Sequence, residues 1–149
     1  MPKLLRTDST HPDFISLVKE LDADLAIRDG EDHAFYAQYN KIDSLKYVVI
    51  AYHNDIPLAC GAIKEYEPNT MEVKRMYTSP QSRGKGLASL VLAELEKWAQ
   101  ELSYKKCILE TGIKQPEAIA LYTKNNFQSI PNYGQYTEVK DSRCFEKVL

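Results

Sequence analysis

No stretch of this chain is apolar for long enough to span a bilayer. Its formal charge is only −2 over 149 residues, so no general positive field invites nucleic acid. Cysteine is scarce. Cys60, Cys107 and Cys144 form an odd, scattered set, which supports neither a disulfide framework nor a zinc site. Each has an apolar neighbour and is expected as a buried thiol. His11, His33 and His53 stand apart without metal-ligand spacing, and are expected at the surface. The opening residues, MPKLLRTDST, lack the apolar core of a signal peptide. There is no repeat, low-complexity segment or linker. One domain over residues 1–149, cytoplasmic and reduced, is the expectation.

The apolar pattern supplies the elements. Lys3 to Asp8 reads as a short strand, broken at His11-Pro12. Phe14, Leu17, Val18, Leu21 and Leu25 recur at helical spacing, with Gly30 as a stop. A second short helix is expected through residues 32–40. Lys46 to Tyr66 reads as a hairpin turning at Asn54-Asp55, residues that tolerate tight-turn dihedrals. Thr70 to Ser79 is a third strand, ended by Pro80. The clearest helix follows, with Leu87, Val91, Leu95, Trp98 and Leu102 on one stripe and Glu94, Lys97 and Glu101 off it. Then come a strand to Gly112, a helix from Pro116 to Asn126, and strands at 127–130 and 143–149. This order predicts a mixed, largely antiparallel sheet flanked by helices, a three-layer α/β (α+β) domain.

Between the third strand and the striped helix lies QSRGKGLA, Gln81 to Ala88. A strand entering a glycine loop and then a helix makes a good anion site. The first N–H groups of a helix are unsatisfied, and the dipole adds partial positive charge. Gly84 and Gly86 let backbone approach a phosphate, and Arg83 and Lys85 can add charge. The P-loop spacing is absent, and Ser89 stands where a dinucleotide fingerprint needs its third glycine. From these residues alone, a phosphate cradle and a basic helix-capping turn stay open.

The wider pattern resembles the GNAT family, the Gcn5-related N-acetyltransferases. Gln81-Ser82-Arg83-Gly84-Lys85-Gly86 matches that family's Q/R-x-x-G-x-G/A. QPEAIALYTKNNF matches its later N-x-x-A-x-x-L-Y-x-K-x-G-F through Ala118, Leu121, Tyr122, Lys124 and Phe127. Gln115 replaces the usual asparagine and Asn126 the usual glycine. The resemblance runs from about Tyr47 onward. It implies a GNAT-like acyl-CoA N-acyltransferase fold in which the third strand splays from the next. It implies acetyl-CoA as co-substrate, its pyrophosphate on the N–H groups of Arg83, Gly84, Lys85, Gly86, Leu87 and Ala88. Its pantetheine arm would pair with Met76, Tyr77 and Thr78 as an added strand.

The implied reaction is direct attack by an amine on the acetyl carbonyl in a ternary complex, without a metal. The ammonium must lose a proton, the oxyanion needs a donor and the leaving thiolate needs a proton. Glu72 is the candidate base, at the position where several family members carry a catalytic carboxylate, and Glu110 is its rival, directly or through water. Tyr122 is the candidate acid, since a phenol with a pKa of about 10 stays protonated at neutral pH. The backbone N–H of Met76 is the candidate oxyanion donor.

For the acceptor, the chain offers Arg28, Asp29, Tyr36, Tyr39, Lys64, Lys74, Arg75, Glu110 and Tyr136 where family substrates bind. Arginine forks match carboxylates, which suits an amino acid. A polyamine-like amine is the other small-molecule candidate. Tyr133, Gly134 and Tyr136 read either as a loop closing over the cleft or as ordinary turn packing. No nucleic-acid or membrane partner is expected, and monomer and homodimer both stay open. The competing functions are protein acetylation and a silent acyl-CoA-binding sensor.

Overall fold

The computed structural model describes residues 2–29 and 44–149, with only the backbone of Arg28 and Asp29. The elements are β1 (Lys3–Thr7), α1 (Pro12–Asp29), β2 (Tyr47–His53), β3 (Ile56–Glu67), β4 (Thr70–Thr78), α2 (Leu87–Glu101), β5 (Lys106–Gly112), α3 (Pro116–Lys124), β6 (Gln128–Ile130) and β7 (Ser142–Val148). The helix expected through 32–40, with His33, Tyr36 and Tyr39, lies outside the described residues.

The strands form one sheet in the order β1-β2-β3-β4-β5-β7-β6. All pairs are antiparallel except β4 with β5. Alternation on β2 divides the core. Val48 and Ile50 pack with Phe14, Leu17, Val18 and Leu21 of α1. Val49 and Ala51 pack on the other face with Leu87, Val91, Leu92 and Leu95 of α2, and with Tyr122 of α3. The expected three layers are therefore present. Each buried leucine or valine of α2 contributes about 1.5–3 kcal/mol by leaving water.

Local chemistry explains the boundaries. Asn54 and Asp55 take φ of 51° and 65° and turn the β2–β3 hairpin as expected. The first strand ends before His11-Pro12 as expected, and Pro12 starts α1, because the first helical position needs no N–H bond. His11 is not the surface residue expected. It is half-buried at the helix start, where its Nδ1 accepts the Asp13 N–H at 3.1 Å. His53 is exposed, and the three cysteines are buried, as expected.

Helix α3 stops at Lys124, two residues short of the expectation, because Asn126 adopts φ 72°. The Phe127 N–H then bonds Tyr122 O at 3.0 Å and the Asn126 N–H bonds Thr123 O at 3.2 Å. These are the two reverse bonds of a left-handed helix cap. Asparagine tolerates that backbone region, so Asn126 does what a glycine does there.

Candidate active site

Strands β4 and β5 pair only at Thr70↔Lys106, Met71↔Cys107 and Glu72↔Ile108. Beyond that vertex both strands continue and part. The gap opens into two connected spaces that share Leu21, Met76, Gln115, Ala118 and Tyr122. The outer one, about 350 Å³, runs from Met76–Thr78 past Arg83, Gly84 and Gly86 to Leu87 and Ala88. The inner one, about 100 Å³, holds Glu72, Lys74, Arg75, Glu110, Tyr122 and Tyr136.

The outer end is made mostly of backbone. Gly84 and Gly86 take φ of 78° and 79°, and a Cβ built on either would meet nothing within 4 Å. Such a conformation strains L side chains, and the open space leaves room for a ligand. The first helical bond of α2 is Leu90 N–H to Gly86 O, so the N–H groups before it have no partner within the helix. No side chain caps this end. The Arg83 Nε donates to Thr78 O at 3.0 Å, and its guanidinium lies over the Tyr77 ring at 5.7 Å. The Lys85 side chain is exposed and outside the cleft lining. Asn125 donates to Ser89 Oγ at 3.1 Å and to Leu121 O at 2.8 Å, tying α3 to the first turn of α2.

Tyr122 stands where the two spaces meet. The α3 cap fixes it, and its ring packs at 5.8 Å from Phe127 and 6.2 Å from Phe145. Burial, and then the charge of Glu110, push its phenol well above the usual tyrosine range. It therefore holds its proton at neutral pH.

Glu72 sits at the vertex and is 8% exposed. Its Oε2 accepts the Tyr133 hydroxyl at 2.5 Å, and its Oε1 lies 3.4 Å from Lys74 Nζ. Glu110 accepts the Ser142 hydroxyl at 2.6 Å. Tyr136 is buried beneath them, and burial followed by the charges of Glu110 and Glu72 raises its pKa. Tyr133 stacks edge-on against Tyr66 at 5.1 Å and against Tyr136 at 6.0 Å. The 133–136 loop is thus packed into the wall of the inner space.

Of the other acceptor candidates, Lys64 is exposed and off the cleft. Arg28 is described only by its backbone, and Tyr36 and Tyr39 are not among the described residues. The residues not anticipated as site groups are Gln115, Ser142 and Asn125. Gln115 lines both spaces, and its place at the family's asparagine was the signal for it. Nothing near Ser142 in sequence marks it, because its partner Glu110 lies on another strand. Among the described residues, no group of three or more His, Cys, Asp or Glu is placed to hold a metal ion. None of their helices is long and apolar enough to cross a membrane.

A mixed sheet parted at its parallel pair, with a glycine loop at the mouth, is the acyl-CoA N-acyltransferase fold. A solved protein of Klebsiella pneumoniae, described provisionally as an acyl-CoA N-acyltransferase, matches over 100% of this chain and 98% of its own, with a TM-score of 0.82 and 31% identity. The PaiA N-acetyltransferase of Thermoplasma acidophilum, solved with coenzyme A, shares the fold over 100% of this chain and 99% of its own, with a TM-score of 0.74 and 16% identity. The acetyltransferase (GNAT) family model matches residues 14–127. The IAA acetyltransferase of Azospirillum brasilense is 31% identical over 139 residues, 91% of this chain and 90% of that one. The chain belongs to the GNAT family, and is an acyltransferase of the N-acetyltransferase type.

Proposed function

We propose that this protein transfers an acetyl group from acetyl-CoA to a primary amine of a small molecule, such as an amino acid or a polyamine-like amine, by direct attack in a ternary complex. One observation carries this: the gap between β4 and β5 brings the glycine loop, Tyr122 and two carboxylates to one continuous cleft. The coenzyme A bound by the Thermoplasma relative of the same fold supports an acyl-CoA donor.

The pyrophosphate lies on the loop N–H groups from Arg83 to Ala88, where the helix dipole favours negative charge. The pantetheine arm runs along Met76–Thr78 on the free side of β4. Glu72 takes the proton from the acceptor ammonium, and the Tyr133 hydroxyl orients it. Glu110 is the second carboxylate facing the amine. The nitrogen attacks the acetyl carbonyl, the Met76 N–H stabilises the oxyanion, and the C–S bond breaks as Tyr122 protonates the thiolate, while the second proton lost from the attacking nitrogen restores the Tyr122 phenol. The products are the acetylated amine and free coenzyme A.

The test is acetyl-CoA-dependent release of free thiol over panels of amines, amino acids and proteins. Turnover on small amines is the expected result. Turnover on proteins alone would transfer the activity to protein acetylation. Coenzyme A binding without turnover on any acceptor would make the protein a sensor.

A further inference from the structure

Regular alternation along β4 would place Glu72 and Lys74 on one face, and Val73 and Arg75 on the other. The pattern holds as far as Lys74. Met71 and Val73 lie in the core on the α2 side, while Lys74 reaches Glu72. Then Lys74 pairs with Ala62 and Tyr77 with Cys60, so Arg75 and Met76 together oppose the single residue Gly61. That is a bulge, and it resets the phase. Beyond it Met76 packs with the α2-side core and Tyr77 lies in the α1-side core. Gly61 makes the bulge possible, since a Cβ there would strike Met76 Sδ.

The bulge turns Arg75 toward α1. Its φ is 60°, and its Nη1 donates to Asp22 Oδ1 at 2.7 Å. Two cations adjacent in sequence, Lys74 and Arg75, thereby line the inner space together with Glu72, Glu110 and Tyr122.

The ion pair with Asp22 does not use up Arg75. The Arg75 side chain is 3% exposed while that of Asp22 is 49% exposed. Its Nε is buried and has no hydrogen-bond partner. Such an orphan is uncommon in a folded protein, and it leaves one donor of the fork without an acceptor. A guanidinium is a planar fork of donors that fits a carboxylate.

Building on the acetyltransferase function above, we propose that Arg75, through its unpartnered Nε and with Lys74 beside it, binds a carboxylate of the acceptor. The acceptor is then an amino-acid-like zwitterion and not a polyamine. Its ammonium faces Glu72 and its carboxylate faces Arg75. Those residues stand three apart on one strand, about 10 Å along the backbone, so both α- and ω-amino acids belong in the test.

Wild-type protein is assayed by thiol release with α- and ω-amino acids, their carboxamides and methyl esters, and spermidine. Free acids should be acetylated at least about tenfold more efficiently than their amides and esters, the value of one charged hydrogen bond. Arg75→Lys keeps a positive charge but loses Nε. It should raise KM for the acids about ten- to a hundredfold. The loss should be selective, larger for the acids than for the amides, with coenzyme A affinity near wild type. Equal use of acids and amides, or a preference for spermidine, would overturn the carboxylate site and leave the acetyltransferase standing. If no amine is acetylated, thermal shifts of the coenzyme A-saturated protein decide. A shift with acids but not amides, absent in Arg75→Lys, supports the site, and no shift overturns it. The wild-type comparisons hold even where Arg75→Lys folds poorly.

Discussion

The two ends of the cleft are built from different material. At the outer end the lining is mostly backbone: two glycines at positive φ and the first turn of α2. At the inner end the lining is side chains, drawn from β4, β5, α3, the 133–136 loop and α1. A backbone site holds a ligand common to a whole family and tolerates drift in its side chains. A side-chain site holds a particular ligand and changes with single substitutions. Affinity for the donor and rate with the acceptor should therefore be separable by mutation.

The largest effect should come from the vertex. Glu72→Gln keeps the shape of the side chain but removes the proposed base, and should lower kcat about a hundredfold. Glu110→Gln should cost less. If Glu110→Gln is the more damaging in steady-state kinetics, the roles of the two carboxylates are exchanged. Tyr122→Phe keeps the ring contacts with Phe127 and Phe145 and should lower kcat about ten- to a hundredfold. Coenzyme A affinity, read by titration calorimetry, should stay near normal, and wild-type turnover would end the acid role.

At the outer end the pattern should invert. Gly86→Ala sets a methyl group into the open space at a φ that L residues resist, and should weaken coenzyme A binding about tenfold. Its kcat at saturating donor should barely change. A fall in kcat without a change in affinity would place the pyrophosphate elsewhere.

The smallest effect comes from buried groups of the core and the inner end, and concerns alkaline stability. Burial pushes the thiols of Cys60 and Cys107 up to about 12 and that of Cys144 up to about 11. Burial raises the phenols of Tyr122, Tyr133 and Tyr136 as well. The folded state keeps these protons after the unfolded chain has begun to release them. Their contribution is whole below about pH 8.5 and is lost as pH rises through the folded values. Thermal melts should thus hold a constant Tm between about pH 7 and 8 and fall steadily above about pH 9. A flat profile to pH 11 would show that these groups are more solvated than the structure places them.

How much could be read in advance follows from how far apart the partners are in sequence. The glycine loop, the striped helix and Tyr122 are local patterns, and each was legible. Asn126 looked like a departure from its family, yet it does the work of the missing glycine at φ 72°. The loop around Tyr133 was read two ways, and its hydrogen bond to Glu72, 61 residues away, favours packing over closure. The bulge at Arg75 left no trace, because VKRMY alternates well enough for an unbroken strand. Its cause is the absent side chain of Gly61 on the neighbouring strand.

The sequence by itself determined the glycine loop at the outer end, where the proposed function puts the donor. A phosphate cradle needs only consecutive backbone groups and two residues free to take positive φ, and consecutive residues write that plainly. The inner end, where the proposed function puts the acceptor, was decided by tertiary structure. Three pairings between β4 and β5 set where the strands part. One bulge set which way Arg75 faces, and a carboxylate of α1 took one of its nitrogens and left another unpartnered. Those relations exist only once separate segments pack, since side-chain direction on a strand depends on a register that its neighbours supply.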